Sequence, residues 1–225
     1  MFIIINCDEY CKKGDNMTGR REKKKREIKD KIIKAAEVVF FEDDYEKITV
    51  SEIANRADIG VGTIYNYFKS KDDIFVSTMK TMFDIDYSDI NINKELLNKP
   101  NENNEAVDLI VKYNFKIFLK ISKIPKVIIK KLFQIMLNDD GKTKILSELI
   151  KLDFKYIYEI EKLIKFSQEK GKLKSNFDAY LMAETIYSIV GINFAMFMYN
   201  VKNFDETMID LEKKIRMVLN EYVAK

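Results

Sequence analysis

Between residues 61 and 71 the sequence mixes hydroxyl, amide and amine side chains with apolar ones, a pattern able to bind polar partners. If residues 61–68 form a short helix, Ile64 and Phe68 turn toward a core and the other side chains form an outer face. Such a face, near the N-terminal end of a helix, can meet base edges in the DNA major groove. The residues predicted on this face are Val61, Gly62, Thr63, Tyr65, Asn66 and Tyr67.

The members of this face differ in the contacts that they can make. Gly62 has no Cβ and permits close approach of another backbone. The Thr63 methyl group can touch a thymine, and its hydroxyl can bond a base or a phosphate. Lys71 is predicted to begin a further helix, where free backbone amides and the ammonium together favour an anion. For Tyr65 and Tyr67 the alternative is ordinary packing, because aromatic side chains often fill cores.

Three predicted helices hold this face in place. Apolar residues recur at helical spacing over residues 22–41, and Thr49 with Glu52 forms a capping box that begins a helix over 50–57. A short turn that contains glycine then leads to the helix over 61–68. Two short helices joined by such a turn are typical of a helix-turn-helix.

The stretch over residues 49–73 reads TVSEIANRADIGVGTIYNYFKSKDD and closely resembles the DNA-binding signature of the TetR family of regulators. The resemblance extends over residues 25–80. It implies that Thr49, Tyr67 and Lys71 contact DNA phosphates. With the outward side chains of both short helices added, the predicted DNA-binding residues are Thr49, Ser51, Arg56, Val61, Gly62, Thr63, Tyr65, Asn66, Tyr67 and Lys71.

Three residues depart from the pattern that this family usually shows. Asp44 and Asp58 stand where glycine is usual, and Gly60 stands where a capping serine is common. Aspartate tolerates the left-handed backbone conformation better than most residues, so the turn should form. A glycine cap costs only a few tenths of a kcal/mol relative to serine. We therefore expect the fold to be unaffected and the operator preference to be unusual.

Only two prolines and seven glycines among 225 residues are too few for a sheet protein with many tight turns, so we expect an all-α fold. The resemblance implies about nine helices, in a three-helix DNA-binding domain and a C-terminal helical bundle. We predict a flexible tail over residues 1–19, the helix-turn-helix domain over 20–70, and a connecting helix with an effector-binding and dimerisation domain over 71–225. An asparagine-rich stretch over 86–104 is predicted to be a loop.

The last two predicted helices, over residues 177–200 and 205–223, carry apolar stripes suited to packing against other helices. By resemblance, these helices from two subunits form a four-helix interface, and the homodimer reads a palindromic operator in double-stranded DNA. The alternative is that both stripes serve only the core of one chain. The residues predicted at the interface are Met182, Ile186, Val190, Met208, Leu211, Ile215, Val218 and Tyr222.

The C-terminal bundle is rich in large aromatic side chains. Pockets between the helices of a bundle commonly bind apolar ligands. The resemblance implies a repressor that leaves its operator when a small molecule binds, and we expect a largely hydrophobic effector. Plain core packing is the alternative for each aromatic residue. The candidate pocket residues are Tyr113, Phe133, Phe154, Tyr158 and Tyr187.

Composition disfavours several other classes of function. The chain has no histidine, and Cys7 and Cys11 are its only cysteines, so we expect no metal site and no cofactor. No acid–base or nucleophile arrangement stands out, which argues against an enzyme. The apolar run over residues 2–5 is too short for a signal peptide or a membrane span, which favours the cytoplasm and no membrane partner. The alternative function is that of a DNA-binding architectural or cell-cycle protein without an effector.

A basic segment near the start of the first predicted helix has two possible roles. Residues 20–34 contain nine basic residues and three acidic ones, although the net charge of the whole chain is only +3. A basic run at this place can be an arm that contacts DNA, or it can be a solvated helix face.

Overall fold

The computed structural model describes residues 20–83, 105–138 and 145–224. The predictions for the tail over 1–19 and for the loop over 86–104 lie outside these ranges. Within the described ranges the chain contains nine α-helices and no strand, which confirms the all-α prediction. The helices are α1 Arg20–Glu42, α2 Val50–Arg56, α3 Val61–Tyr65, α4 Lys71–Phe83, α5 Glu105–Ser122, α6 Lys126–Asn138, α7 Ile145–Glu169, α8 Ala179–Met198 and α9 Phe204–Leu219.

The chain forms two compact units that divide between Phe75 and Val76. The first unit contains α1 to α3 and the first turn of α4. This division lies inside α4, and the domain assignment made from the sequence, with its boundary after residue 70, stays a prediction.

The core of the first unit combines an apolar stripe on α1 with the inner faces of α2 and α3. Ile32 and Phe40 of α1, Ile53 of α2 and Ile64 of α3 are essentially inaccessible to solvent. Small residues allow the close crossing of α2, whose Ala54 is also buried. Burying each large aliphatic or aromatic side chain contributes about 1.5–3 kcal/mol to folding, which offsets the low intrinsic stability of two such short helices.

The core of the second unit is built around α5, which packs against α7, α8 and α9. Most of α5 is buried, and its apolar residues meet Ile160 and Leu163 of α7, Ile186 of α8 and Leu211 of α9 in one cluster. Three helices cover α5 because its apolar residues lie on more than one side of the helix.

Glycine and capping residues mark the ends of these helices. Gly171 follows α7 with φ +65°, and the Lys172 amide beyond it donates to the Ser167 carbonyl at 2.9 Å. This hydrogen bond closes the last turn of the helix, and the helix ends at the break predicted at this glycine. Asp178 caps the N terminus of α8, and Asn203 with Glu206 forms a capping box at α9.

The burial pattern of α8 and α9 divides the residues predicted at the dimer interface into two groups. Ile186, Leu211 and Ile215 are completely buried inside the single chain, and Val190 is buried as well. At these positions the side chains pack in the core of the single chain, which favours the alternative given for these stripes. The other four predicted residues, Met182, Met208, Val218 and Tyr222, are partly buried.

A different face of α8 and α9 is left exposed. Leu181, Ile192 and Tyr199 on α8 and its C-terminal end, and Ile209 and Met217 on α9, are all more than half exposed. Helix α8 is also the one described helix that is long and apolar enough to cross a membrane, and 28% of its apolar window is buried within the chain. Interior and interface helices of water-soluble proteins have the same composition, so this finding by itself is weak evidence for a membrane.

Candidate nucleic-acid interface

The turn between α2 and α3 is closed by backbone hydrogen bonds and one left-handed residue. Asp58 has φ +49°, which confirms that this aspartate adopts the conformation usually given to glycine. Its amide donates to the Asn55 carbonyl at 3.1 Å, and the Ile59 amide donates to the Ala54 carbonyl at the same distance. Asp44 is the other aspartate at a position where glycine is usual. It is not among the described residues with positive φ, so its backbone does not adopt the left-handed conformation.

The N termini of α2 and α4 are capped by side chains. The Glu52 amide donates to Thr49 Oγ1 at 3.2 Å and the Thr49 amide donates to Glu52 Oε2 at 2.8 Å, which confirms the predicted capping box. At α4 the Asp73 amide donates to Ser70 Oγ at 3.1 Å, but the Asp73 carboxylate accepts from the amide of Lys69 at 2.9 Å. In this second capping box the hydrogen bond to the carboxylate therefore comes from the amide of Lys69, one residue before Ser70.

Helix α3 presents a polar outer face above a fully apolar inner one. Ile64 and Phe68 are buried, whereas Tyr65 is 55% exposed and Asn66 is exposed too. Val61, Thr63 and Tyr67, the remaining side chains of the predicted outer face, are partly exposed. The helix ends at Tyr65, three residues earlier than predicted, with Asn66 as its C-cap.

Gly62 lies on this outer face with empty space around it. A Cβ atom built on Gly62 would meet no other atom within 4 Å. Its backbone is helical, so neither conformation nor packing inside the chain requires glycine here. Glycine in a helix costs about 0.5–1 kcal/mol relative to alanine. The gap is the space that close approach of an outside partner would use.

Two of the predicted DNA-binding cations are engaged within the first unit. The Lys71 ammonium donates to the carbonyls of Tyr45 and Ile48 at 2.8 and 2.9 Å, and it lies 4.3 Å from the centre of the Tyr45 ring. The Arg56 guanidinium pairs with both carboxylate oxygens of Glu42 at 3.0 and 3.3 Å. Lys71 thus holds the loop before α2, and Arg56 joins α2 to the end of α1.

Tyr45 is a residue of this site that the sequence analysis missed. Its ring packs between Phe40 and Phe75, and its hydroxyl donates to Asp72 Oδ1 in the first turn of α4. Burial, followed by the hydrogen bond to the Asp72 carboxylate, raises the pKa of the Tyr45 phenol above its usual range. The phenol therefore stays a donor and anchors the loop from Asp43 to Ile48, which ends at the N-cap of α2. An aromatic residue inside an otherwise charged loop was the available signal.

The structure places the five candidate effector residues of the second unit in different environments. Tyr113 is 2% exposed, Tyr187 is partly buried, and Phe133, Phe154 and Tyr158 are exposed.

Two of these candidates meet a third tyrosine in the bundle. The rings of Tyr113 and Tyr187 lie 6.0 and 5.7 Å from the ring of Tyr156, whose hydroxyl donates to the buried Asn114 side chain. Burial also raises the pKa of the Tyr187 phenol, which shares a hydrogen bond with Asp153. These rings form an aromatic cluster with polar edges between α5, α7 and α8.

Comparisons with known proteins agree with this geometry. The family model described as bacterial regulatory proteins of the tetR family matches residues 32–78, the segment from the middle of α1 to α4. The fatty acid metabolism regulator protein of Bacillus subtilis is 26% identical over 185 residues, which cover 81% of this chain and 90% of the relative. The biofilm operon negative transcriptional regulator IcaR of Staphylococcus aureus is 28% identical over 43% of this chain and 48% of its own length.

Solved structures show the same fold. A TetR-family transcriptional regulator from Mesorhizobium loti superposes with a TM-score of 0.64 at 18% identity, over 88% of this chain and 98% of that one. The transcriptional regulator FadR from Bacillus subtilis, solved in complex with stearoyl-CoA, gives a TM-score of 0.54 at 19% identity, over 84% of this chain and 96% of that one. With the helix-turn-helix of α2 and α3, these matches show a tetR-family DNA-binding domain over residues 32–78 and the fold of TetR-family regulators, and they support a DNA-binding regulator.

Proposed function

We propose that this protein is a homodimeric repressor that binds a palindromic operator and is released by a small, largely hydrophobic effector. The observation that carries the DNA-binding part is the outer face of α3, where a polar surface surrounds a glycine that the chain itself does not need. The IcaR relative is described as a negative transcriptional regulator, which supports repression over activation.

The outer face of α3 divides into positions for bases and positions for the DNA backbone. Thr63 lies in the first turn, where side chains of a recognition helix reach base edges, and the space at Gly62 lets the helix approach the groove closely. Tyr65 and Asn66 extend this surface. Tyr67 is at its edge and is suited to a phosphate contact.

Dimerisation through the exposed face of α8 and α9 would place two such helices about a two-fold axis. Leu181, Ile192 and Met217 expose apolar surface that a second copy of the same face can cover, because a two-fold interface brings the same residues together from both subunits. Each of these side chains would contribute about 1.5–3 kcal/mol if fully buried. The palindromic operator follows from this symmetry.

For the effector, the aromatic side chains of α5 to α8 support an apolar ligand. The FadR structure named above contains stearoyl-CoA, so long-chain acyl thioesters are the first compounds to test on this chain. Tyr113, Phe133, Phe154, Tyr158 and Tyr187 remain the proposed contact residues. The Tyr187 hydroxyl and the Asp153 carboxylate share a hydrogen bond and offer polar groups beside these aromatic side chains.

The experiment that tests the function has two stages. Bound sequences are first selected from a random duplex pool with the full-length protein, and we expect a palindromic consensus. Fluorescence anisotropy on that duplex then measures release by acyl-CoA of increasing chain length, with free coenzyme A as the control. Folded protein that shows no preference for any sequence over bulk DNA at moderate salt would refute the regulator assignment. Specific binding that no hydrophobic compound weakens would favour the effector-free alternative.

A further inference from the structure

The first turns of α1 extend beyond the packed part of the first unit. Every residue from Arg21 to Glu27 is exposed, Ile28 is partly buried, and the core stripe begins only at Ile32. At 1.5 Å per residue, the exposed residues form a helical overhang of about 10 Å. We call residues 21–27 the α1 overhang.

The two sides of the α1 overhang differ in charge. Arg21 and Lys25, followed by Lys29, are spaced four residues apart and continue the line of the buried stripe that contains Ile32 and Ala36. No acidic residue lies on this line. We call it the inner line, because further along α1 the same line is buried in the first unit, where α1 packs against α2.

The opposite side carries balanced charge. Lys23 and Arg26 each have an acidic residue four positions later, Glu27 and Asp30. Pairs of opposite charge at this spacing stabilise a helix, and pairs of like charge at the same spacing destabilise it by a similar amount. The inner line therefore costs the helix stability, whereas the outer side does not.

Elsewhere in the chain, basic helical residues pair with acidic ones at the same spacing. On α7 the Lys165 ammonium lies 2.6 Å from the Glu161 carboxylate, and on α9 the Arg216 guanidinium lies 2.8 Å from Glu212. Neither Arg21 nor Lys25 has an acidic residue four positions away, and the acidic residue at helical spacing from Lys25 is Glu22, three positions earlier. Their charge is available to a partner outside the chain.

The position of Lys29 shows which part of the first unit the inner line passes. Its ammonium lies 5.7 Å from the ring centre of Phe68, which follows α3 by three residues. Lys25 and Arg21 lie further along the same line, about one and two turns beyond this contact. A polyanion in contact with the outer face of α3 is the partner that unpaired guanidinium and ammonium groups beside it would bind.

We propose that Arg21 and Lys25 of each subunit bind backbone phosphates of the operator next to the half-site contacted by α3. This proposal rests on the proposed function, because it needs DNA on α3. It resolves the open role of the basic run: one line of the overhang binds DNA, and the opposite side is a solvated helix face.

The test compares two double variants that remove the same charge from the two sides of the overhang, R21Q/K25Q and K23Q/R26Q. Operator affinity of the full-length protein is measured by anisotropy between about 50 and 300 mM salt, a range over which phosphate contacts dominate the salt dependence of DNA affinity. Removing one phosphate contact lowers the slope of log Kobs against log salt by about 0.9, so two contacts per subunit in a dimer give about 3.6. We expect this fall for R21Q/K25Q and a much smaller one for K23Q/R26Q.

A second measurement locates the contacts. Hydroxyl-radical footprinting should show protection beyond both ends of the palindrome with the wild-type protein, and R21Q/K25Q should lose only that flanking protection. Because all four side chains are exposed, both variants should stay folded, with R21Q/K25Q slightly more stable than the wild-type protein and K23Q/R26Q slightly less stable, each by a few tenths of a kcal/mol. Equal slopes for the two variants, or a footprint unchanged in R21Q/K25Q, would overturn the proposal. Failure of the wild-type protein to select any DNA sequence would instead refute the proposed function, so the two failures are distinguishable.

Discussion

Helix α3 in the first unit and helix α8 in the second each leave one face uncovered, and the two faces differ in composition. The face of α3 offers Asn66 and the hydroxyl of Tyr65, whereas the face of α8 offers Leu181 and Ile192. Each face also contains one helical glycine, Gly62 or Gly191, with nothing within 4 Å of the place where a Cβ would lie. A polar face with room at the backbone fits a nucleic acid, and an apolar face with the same room fits another protein helix.

The strongest apolar stripe of a helix therefore does not reveal which partner the helix binds. In α8 and α9 the strongest apolar stripe packs in the core of the chain, and the remaining exposed face is the surface that can contact another protein. Substitutions can test each face, and the largest effect is expected on the apolar one.

The largest effect is expected from Ile192→Asp on the apolar face. Ile192 is 51% exposed in the single chain, and a two-fold interface would bury it twice. Removing two such side chains from the interface should weaken dimerisation by about 3–6 kcal/mol. Sedimentation equilibrium measures the change. Leu137→Asp, which alters an 86% exposed residue of α6, is the matched control and should leave the dimer intact. A fully dimeric Ile192→Asp protein would show that another surface pairs the subunits.

The next largest effect is expected from Lys71→Gln, which tests whether Lys71 anchors the loop before α2 within the chain. Loss of two charge-assisted hydrogen bonds to backbone carbonyls should lower the free energy of unfolding by about 2 kcal/mol. Because this ammonium is already engaged, the salt dependence of operator binding should change little. Urea denaturation and salt titrations measure the two quantities.

Lys69→Gln is the control for Lys71→Gln, since the Lys69 side chain is exposed and its removal should not affect stability. The family resemblance implies instead that Lys71 is a phosphate contact. Unchanged stability in Lys71→Gln, with a salt slope reduced by about 0.9 per subunit, would support that role and reject the anchor.

A smaller effect separates the two glycines. Gly62→Ala should raise the free energy of unfolding by about 0.5–1 kcal/mol, because alanine favours helices, and yet weaken operator binding, because the methyl group fills the gap. Gly191→Ala is the matched change on the apolar face and should leave the affinity of the assembled dimer for DNA unaltered. Operator binding that improves together with stability in Gly62→Ala would show that no partner enters this space.

The smallest expected effect is at the cap of α3. Gly60 is the N-cap with φ −72°, and a Cβ there would lie 3.8 Å from Thr63 Oγ1, so a serine fits without strain. Gly60→Ser should stabilise the first unit by a few tenths of a kcal/mol through a hydrogen bond to a free helix amide. Thermal unfolding measures this, and Gly60→Ala, which has no side-chain oxygen, should destabilise. Equal behaviour of both variants would mean that no cap forms.

Much of the fold and of the DNA-binding face could be predicted from sequence because the signals are local. The capping box of Thr49 and Glu52, the left-handed Asp58 and the buried Ile64 all depend on residues a few positions apart. Spacing and side-chain chemistry determine such features without knowledge of the rest of the chain.

Other features could not be predicted because they depend on distant partners. Lys71 bonds to carbonyls 26 and 23 residues earlier in the chain, so its role is invisible to a local pattern. Helix α8 has apolar residues on several sides, with Ile186 inside and Ile192 outside, and composition alone cannot say which of them meets the core. The choice is made by the helices that pack against it.

The anchor formed by Tyr45 has a consequence for how the regulator responds to acidity. Burial and the Asp72 carboxylate raise the pKa of this phenol above its usual range, so the Tyr45 hydroxyl keeps its proton between about pH 5 and 8. The hydroxyl of Tyr45 therefore remains a hydrogen-bond donor throughout that range. Loss of its proton is not a route by which acidity in this range would loosen the loop before α2.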